Sequence, residues 1–248
     1  MKPTVLFLSV HKAASTFLAR DFAPAIVREM SCLRHVRLGT SLIEGRSFAE
    51  LALPPTGVIV TRLYPHHINR IQEKPVPAGG RFADKRILLM RRDPRDVAVS
   101  WYYSLAYSHD QTVADPRSFT ASREAVRQLS VAEGIAKVTG PRALGEFRKT
   151  NQFLKEYPQT CVLSYEKLVT DFSAWLEDVQ SFLGWSSEDA SRIGHGLEAQ
   201  LRPPREEDPS QHKRRVLPGN WQEVFNDELV QLFAREAGSE LVDAGYEW

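Results

Sequence analysis

Cysteine is scarce: two in 248 residues, Cys32 and Cys161. That excludes a disulfide framework, and the wide separation offers no metal-ligand spacing. Both are expected as buried, reduced thiols, the state usual in the cytoplasm. Long apolar runs are missing too. None approaches the ~20 residues that a membrane helix needs. The first apolar stretch, Val5 to Val10, is too short for a signal-peptide core, and no cleavage-like site follows it. The expectation is therefore a cytoplasmic protein with no membrane span. An excess of one charge is absent as well. Lys and Arg number 32 and Asp and Glu 31, for a net charge of +1. General nucleic-acid binding needs a basic excess, so it is not expected; a local basic pocket for a small anion remains open. There is no internal repeat and no low-complexity tract.

What is present is an ordinary globular composition, 42% hydrophobic and 25% charged. Four short apolar segments read as strands buried on both faces: Val5–Val10, Val58–Thr61, Arg86–Arg91 and Thr160–Ser164. Helical periodicity lies between and after them, at Thr16–Met30, Pro94–Leu105, Ser122–Val138, Gly145–Glu156, Thr170–Leu183 and Asp227–Ala237. Strands alternating with helices predict an α/β protein with a central, mostly parallel sheet flanked by helices. The length suits a single domain over residues 1–248. Two loops stand out, "QEKPVPAGGRF" at 72–82 and the proline- and charge-rich "LRPPREEDPSQHKRRVLPG" at 201–219. Loops of that length are often functional.

The first strand runs into "HKAASTF", residues 11–17. In an open parallel sheet, ligands bind beyond the C-terminal strand ends. A helix starting near Ser15 presents backbone N–H groups and a positive dipole end. Ser15 and Thr16 add hydroxyls and Lys12 a mobile charge, which together make a cradle for phosphate or sulfate. The alternative is a solvated lysine beside an ordinary helix cap. The stretch is not a Walker A loop, because GxxxxGK[ST] is absent.

A second stretch, "RDPRDVAVS" at 92–100, follows the Arg86–Arg91 strand. Asp93-Pro94 suits a helix start, with Asp as cap and Pro in the first turn. Ser100 comes eight residues after Arg92, about two helical turns on. Arginine and serine so placed can grip one phosphate from two sides. Alternatively, Asp93 and Asp96 only pair with Arg92 and Arg95.

These two stretches resemble the cofactor signatures of the sulfotransferases that use 3′-phosphoadenosine 5′-phosphosulfate, PAPS. The family's first loop reads roughly Pro-Lys-Ser-Gly-Thr-Thr-Trp, and its second signature Arg-Asn-Pro-Arg/Lys-Asp-x-x-x-Ser. The resemblance places Lys12 on the family lysine at the 5′-phosphate and bridging oxygen. Ala13 and Ala14 complete the loop, Ser15 and Thr16 fall on the phosphate-binding hydroxyls, and Phe17 on the adenine-stacking aromatic. Arg92 and Ser100 fall on the 3′-phosphate ligands. Two later segments agree. "VLSYEKLVTDFSAWLEDVQSFLGW", 162–185, resembles the family's strand, Tyr-Glu pair and helix, with Tyr165 on a cofactor-contacting tyrosine. "KRRVLPGNWQEVF", 213–225, resembles its late basic segment, with Arg214 and Arg215 on the 3′-phosphate-binding pair. The chain departs from the pattern at Ala14, which replaces a glycine and must avoid positive φ or accept strain. It departs also at His11, Val216 and Gln222.

The resemblance implies a P-loop-NTPase-like sulfotransferase fold and in-line transfer of a sulfuryl group from PAPS to a hydroxyl or amine. The acceptor would be a small molecule, lipid or saccharide, and the product 3′-phosphoadenosine 5′-phosphate, PAP. Monomers and dimers both occur in the family. No metal is expected. Many members take the acceptor's proton with a histidine after the second of these strands. Here "VTRLYPHHI", 60–68, puts Leu63 or Arg62 at that position. His67 and His66, just downstream, are the first candidates for the base, and Glu44 the second. Two other classes stay open: a P-loop-type nucleotide kinase, and a relative that binds the nucleotide without catalysis.

Overall fold

The structure is a computed structural model that describes residues 2–38, 53–68, 78–108, 116–202, 208 and 214–248. Most of the late loop 201–219 and residues 72–77 of the earlier one lie outside the described residues, as do His109 and His212. By packing, the chain divides into two compact units, residues 1–91 with 149–202 and residues 92–148 with 203–248.

The first unit is built on a parallel sheet. Among the described residues it has five strands, β1 (Val5–Ser9), β2 (Arg34–Arg37), β3 (Val58–Leu63), β4 (Arg86–Arg91) and β5 (Cys161–Ser164), in the order β2-β3-β1-β4-β5. Every pairing between them is parallel. β1 sits in the middle, and the chain fills one side of it with β2 and β3 before crossing to β4 and β5. The crevice beyond the end of β1 is therefore the topological switch point, where such sheets bind ligands.

Both faces of the sheet are covered, which is why β1 and β4 read as unbroken apolar runs. One face buries Leu6, Leu8, Val58, Val60, Ile87 and Leu89 with Phe82, Phe153 and Tyr157. On the other, Phe7 meets Phe22 edge-on at 5.7 Å, and Phe22 meets Trp175 at 5.1 Å. The four expected strands are present. β2 was not expected: "RHVR" is a polar edge strand with one aliphatic residue, and its ends are exposed. The expected helix 16–30 is a helical run from Ser15 to Glu29 whose middle, Leu18–Phe22, is a π-helical turn. Tyr165–Thr170 forms a separate short helix before Phe172–Leu183, because Asp171 caps the second one through Ala174 N–H. Both cysteines are free, but neither is fully buried: Cys32 is exposed and Cys161 half-buried.

The second unit is helical. Pro94–Tyr103 buries most of its length, including Arg95 and Asp96, each 1% exposed. A single helix expected over 122–138 is divided. Pro116–Arg127 ends, and Val131–Gly134 begins anew from a capping box in which Ser130 and Glu133 bond reciprocally. Gly134 is required there by packing, since a Cβ would stand 2.5 Å from the Tyr102 ring. The helix Asp227–Asp243 runs past the expected end at Ala237, where it kinks. Among the described residues no helix is long and apolar enough to cross a membrane.

Candidate active site

In the first unit, Val10 N–H donates to Met90 O at 3.0 Å, so the chain stays in the sheet until the last residue before the loop. It then turns sharply. Lys12 has φ 62° and Ala14 φ 56°, both left-handed. The loop thus accepts the strain that a glycine at 14 would have avoided, about 1 kcal/mol for each non-glycine residue so held. Ala14 stands at the helix start with no side-chain cap, and Leu18 N–H closes the first turn onto its carbonyl at 3.0 Å. The N–H groups at 15 and 16, two half-buried hydroxyls and Lys12 therefore gather at one end of β1, as an anion cradle requires. Ala13 is fully buried beneath them.

β3 contributes a second distortion. Leu6 pairs with Val60 but Leu8 with Leu63, so β3 carries one extra residue. Arg62 lies in this bulge at φ 61°. Bulges re-aim side chains; here the guanidinium turns to the loop and Nη2 donates to Thr16 Oγ1 at 3.4 Å. Leu63, the other residue counted onto the family's base position, is buried in the core. Just beyond, three rings stack. His11 lies on Tyr64 at 4.1 Å and 9°, and Tyr64 on His66 at 5.6 Å and 10°. His66 is exposed at the end of this stack. His67 is 5% exposed and meets Tyr64 and His66 edge-on. Glu44 lies outside the described residues.

Also in this unit, Tyr165 opens its short helix and is buried. Phe17 is buried against Phe22 and Phe172, with centroids at 6.2 and 6.5 Å.

In the second unit the basic residues sit on a buried ionic frame. Asp93 caps the helix Pro94–Tyr103 through Arg95 N–H at 2.8 Å and takes the Arg95 guanidinium, Nη2 to Oδ2 at 2.7 Å. Burial pushes the Asp93 carboxyl above its ordinary range, and the bonds from Arg95 oppose that rise. Arg95 is further held between Trp221 at 3.8 Å and Trp248 at 4.9 Å. Asp96 lies 3.8 Å from Arg92 Nη2 and accepts from Gly219 N–H at 2.8 Å and Trp221 N–H at 3.0 Å. The local pairing of aspartates and arginines foreseen in the sequence is thus present, and one aspartate also ties down the late segment. Arg214 stacks on Tyr103 at 3.9 Å. Burial, then repulsion from Arg215 and Arg92, holds Arg214 below its ordinary value, with Tyr103 and Asp96 opposing. Arg92 and Arg214 therefore share one electrostatic neighbourhood. Arg215 bonds Glu223 through both Nη atoms, and Ser100 is half-buried two turns along the helix from Arg92.

The family model for the sulfotransferase domain matches residues 75–240. The chain belongs to the sulfotransferase domain family. That match spans both units and begins after the first anion loop. No curated protein matches the chain by sequence. Among solved structures, this sulfotransferase is similar to a mouse sulfotransferase complexed with PAP, with TM-score 0.55 and 13% identity over 97% of this chain and 84% of that one. It is similar also to retinol dehydratase in a complex with retinol and PAP, with TM-score 0.54 and 14% identity over 100% of this chain and 84% of that one. At such identities the likeness is one of fold.

Three features of the sulfotransferase site escaped sequence reading. The bulge that aims Arg62 arises from strand pairing. The stacking of His11, Tyr64 and His66 joins two separate loops. The role of Asp96 as anchor depends on a segment far along the chain.

Proposed function

We propose that this sulfotransferase moves the sulfuryl group of PAPS to a hydroxyl or amine of a small-molecule, lipid or saccharide acceptor and releases PAP. The observation that carries this is the strained loop 11–16, where Lys12, two hydroxyls and an uncapped helix start meet at the end of the central strand. The donor set fits the nucleotide: cations, hydroxyls and backbone N–H groups suit a dianion in each unit. In the first unit Lys12, Ala13, Ala14, Ser15 and Thr16 hold the 5′ end, with Phe17 and Tyr165 on its nucleoside. In the second, Arg92, Ser100, Arg214 and Arg215 hold the 3′-phosphate.

When bound, PAPS supplies a sulfuryl group whose bond to the 5′-phosphate oxygen breaks as the acceptor's bond to sulfur forms. Lys12 and the helix start oppose the negative charge that grows on the leaving oxygen. Transfer of this kind depends mainly on positioning and charge. His66 takes the acceptor's proton; it is exposed, and its ring stack reaches back to His11 beside Lys12. Buried His67 braces it, and Glu44 is the second candidate. A cytoplasmic setting is supported by the two free thiols.

The test is calorimetric titration with PAP beside ATP and Mg²⁺. Tight PAP binding with weak ATP binding is expected; the reverse would make the protein a kinase. Arg92→Ala should weaken PAP while leaving adenosine 5′-phosphosulfate, which lacks the 3′-phosphate, nearly unchanged. Equal losses for both ligands would remove Arg92 from the 3′-phosphate site.

A further inference from the structure

The first unit holds three arginines that neither phosphate end of the nucleotide accounts for. Arg20 lies in the π-helical turn after the anion loop, Arg37 ends β2, and Arg62 occupies the bulge of β3. The strand register sets Arg37 opposite Thr61, the residue before Arg62. Arg37 feels the charges of both others: burial first, then Arg62 and Arg20, lower its affinity for its proton. Some other cations in this unit are neutralised by carboxylates. Arg28, Lys85, Lys167 and Arg192 each lie within ion-pair distance of a carboxylate. Among the described residues, Arg20, Arg37 and Arg62 have no such partner. Arg62 Nε is buried without a hydrogen-bond acceptor, and its backbone is left-handed, a conformation that glycine would adopt without penalty. Like charges gathered from three elements, one of them through a strained bulge, destabilise the free protein and are relieved by an anion.

We propose that Arg20, Arg37 and Arg62 form an anion subsite that takes a carboxylate, phosphate or sulfate carried by the acceptor. The inference rests on the sulfotransferase assignment and narrows it to acidic acceptors. Guanidinium groups bind such oxyanions by paired, charge-assisted hydrogen bonds. The bond from Arg62 to Thr16 sets the subsite beside the transfer loop. The acceptor's charged group and its reacting oxygen therefore lie close together, as in a hydroxy acid or a sugar phosphate.

The test uses the PAP-saturated protein, titrated with 2-hydroxyphenylacetate, whose hydroxyl and carboxylate are neighbours, and with its uncharged amide. The wild type should bind the acid about tenfold more tightly than the amide, the scale of one charge-assisted hydrogen bond. R37Q and R20Q, both at exposed positions, should keep the wild-type melting temperature and PAP affinity and lose that preference. Equal binding of acid and amide by the wild type, or binding of neither, would overturn the subsite. So would R37Q that keeps the full preference. If R37Q and R20Q weaken PAP and the acid by the same factor, the cluster belongs to the nucleotide and the proposal fails. Failure of the wild type to bind PAP is a separate result, seen before any acid is added, and would overturn the nucleotide assignment beneath it.

Discussion

The two units prepare the residues proposed to bind phosphate by opposite means. In the first, the loop is shaped by backbone strain: Lys12, Ala14 and Arg62 all take left-handed conformations around the ends of β1 and β3. The surrounding core is apolar on both faces of the sheet and enforces those conformations. In the second, the basic residues rest on buried charge, with Asp93, Arg95 and Asp96 inside the fold. The difference teaches where each half is fragile. A strained loop on an apolar sheet can be altered at small cost in stability and large cost in activity. A buried ionic frame fails as a structure once one partner is removed.

The comparison can be broken most forcefully at Arg95. Arg95→Met leaves the Asp93 carboxyl buried without its cation and removes the group between two indoles. A loss of about 3–5 kcal/mol is expected, read by denaturant unfolding. A loss below 1 kcal/mol would show that the frame is dispensable. The first unit should answer in the other currency. Lys12→Ala should lower turnover about 10²- to 10³-fold with PAPS while leaving the melting temperature close to wild type. Unchanged turnover would remove Lys12 from the chemistry. Asp96→Asn keeps the side-chain shape but can no longer accept fully from both Gly219 and Trp221. We expect a cost of about 1–3 kcal/mol and weaker PAP binding; a stability loss with intact PAP affinity would separate the anchor from the site. The smallest effect is at Ala14. Ala14→Gly relieves the left-handed strain but frees the unfolded chain, for a net gain near 0.5 kcal/mol. Its melting temperature should rise about 1–2 °C, and a fall would mean that the methyl group is itself packed in the loop.

How much of this was legible follows from the physics of each signal. β1, β3, β4 and β5 are short apolar runs because both faces of the sheet are buried, so their composition announces them. β2 carries no such mark, since an edge strand reading "RHVR" has little to bury. The break before Val131 has a local signal in the capping-box spacing of Ser130 and Glu133, which the reading of 122–138 as one helix did not use. The proposed anion loop is a reading of local chemistry, which "HKAASTF" carries by itself. Its strain was legible only as a choice, settled when Ala14 is seen at φ 56°. Arg62 and Asp96 were not readable in their present roles. One depends on a register shift between β1 and β3, and the other on backbone donors at 219 and 221.

The indole cage around Arg95 also makes the second unit optically visible. Two of the five tryptophans, Trp221 and Trp248, lie against the same guanidinium. An indole's emission responds to a fixed charge over its ring, so any shift of the late segment against the helix Pro94–Tyr103 must change the protein's intrinsic fluorescence. Stopped-flow mixing with PAP would then report without a label whether that segment moves on binding, and the difference between the wild type and Trp248→Phe would give the Trp248 contribution.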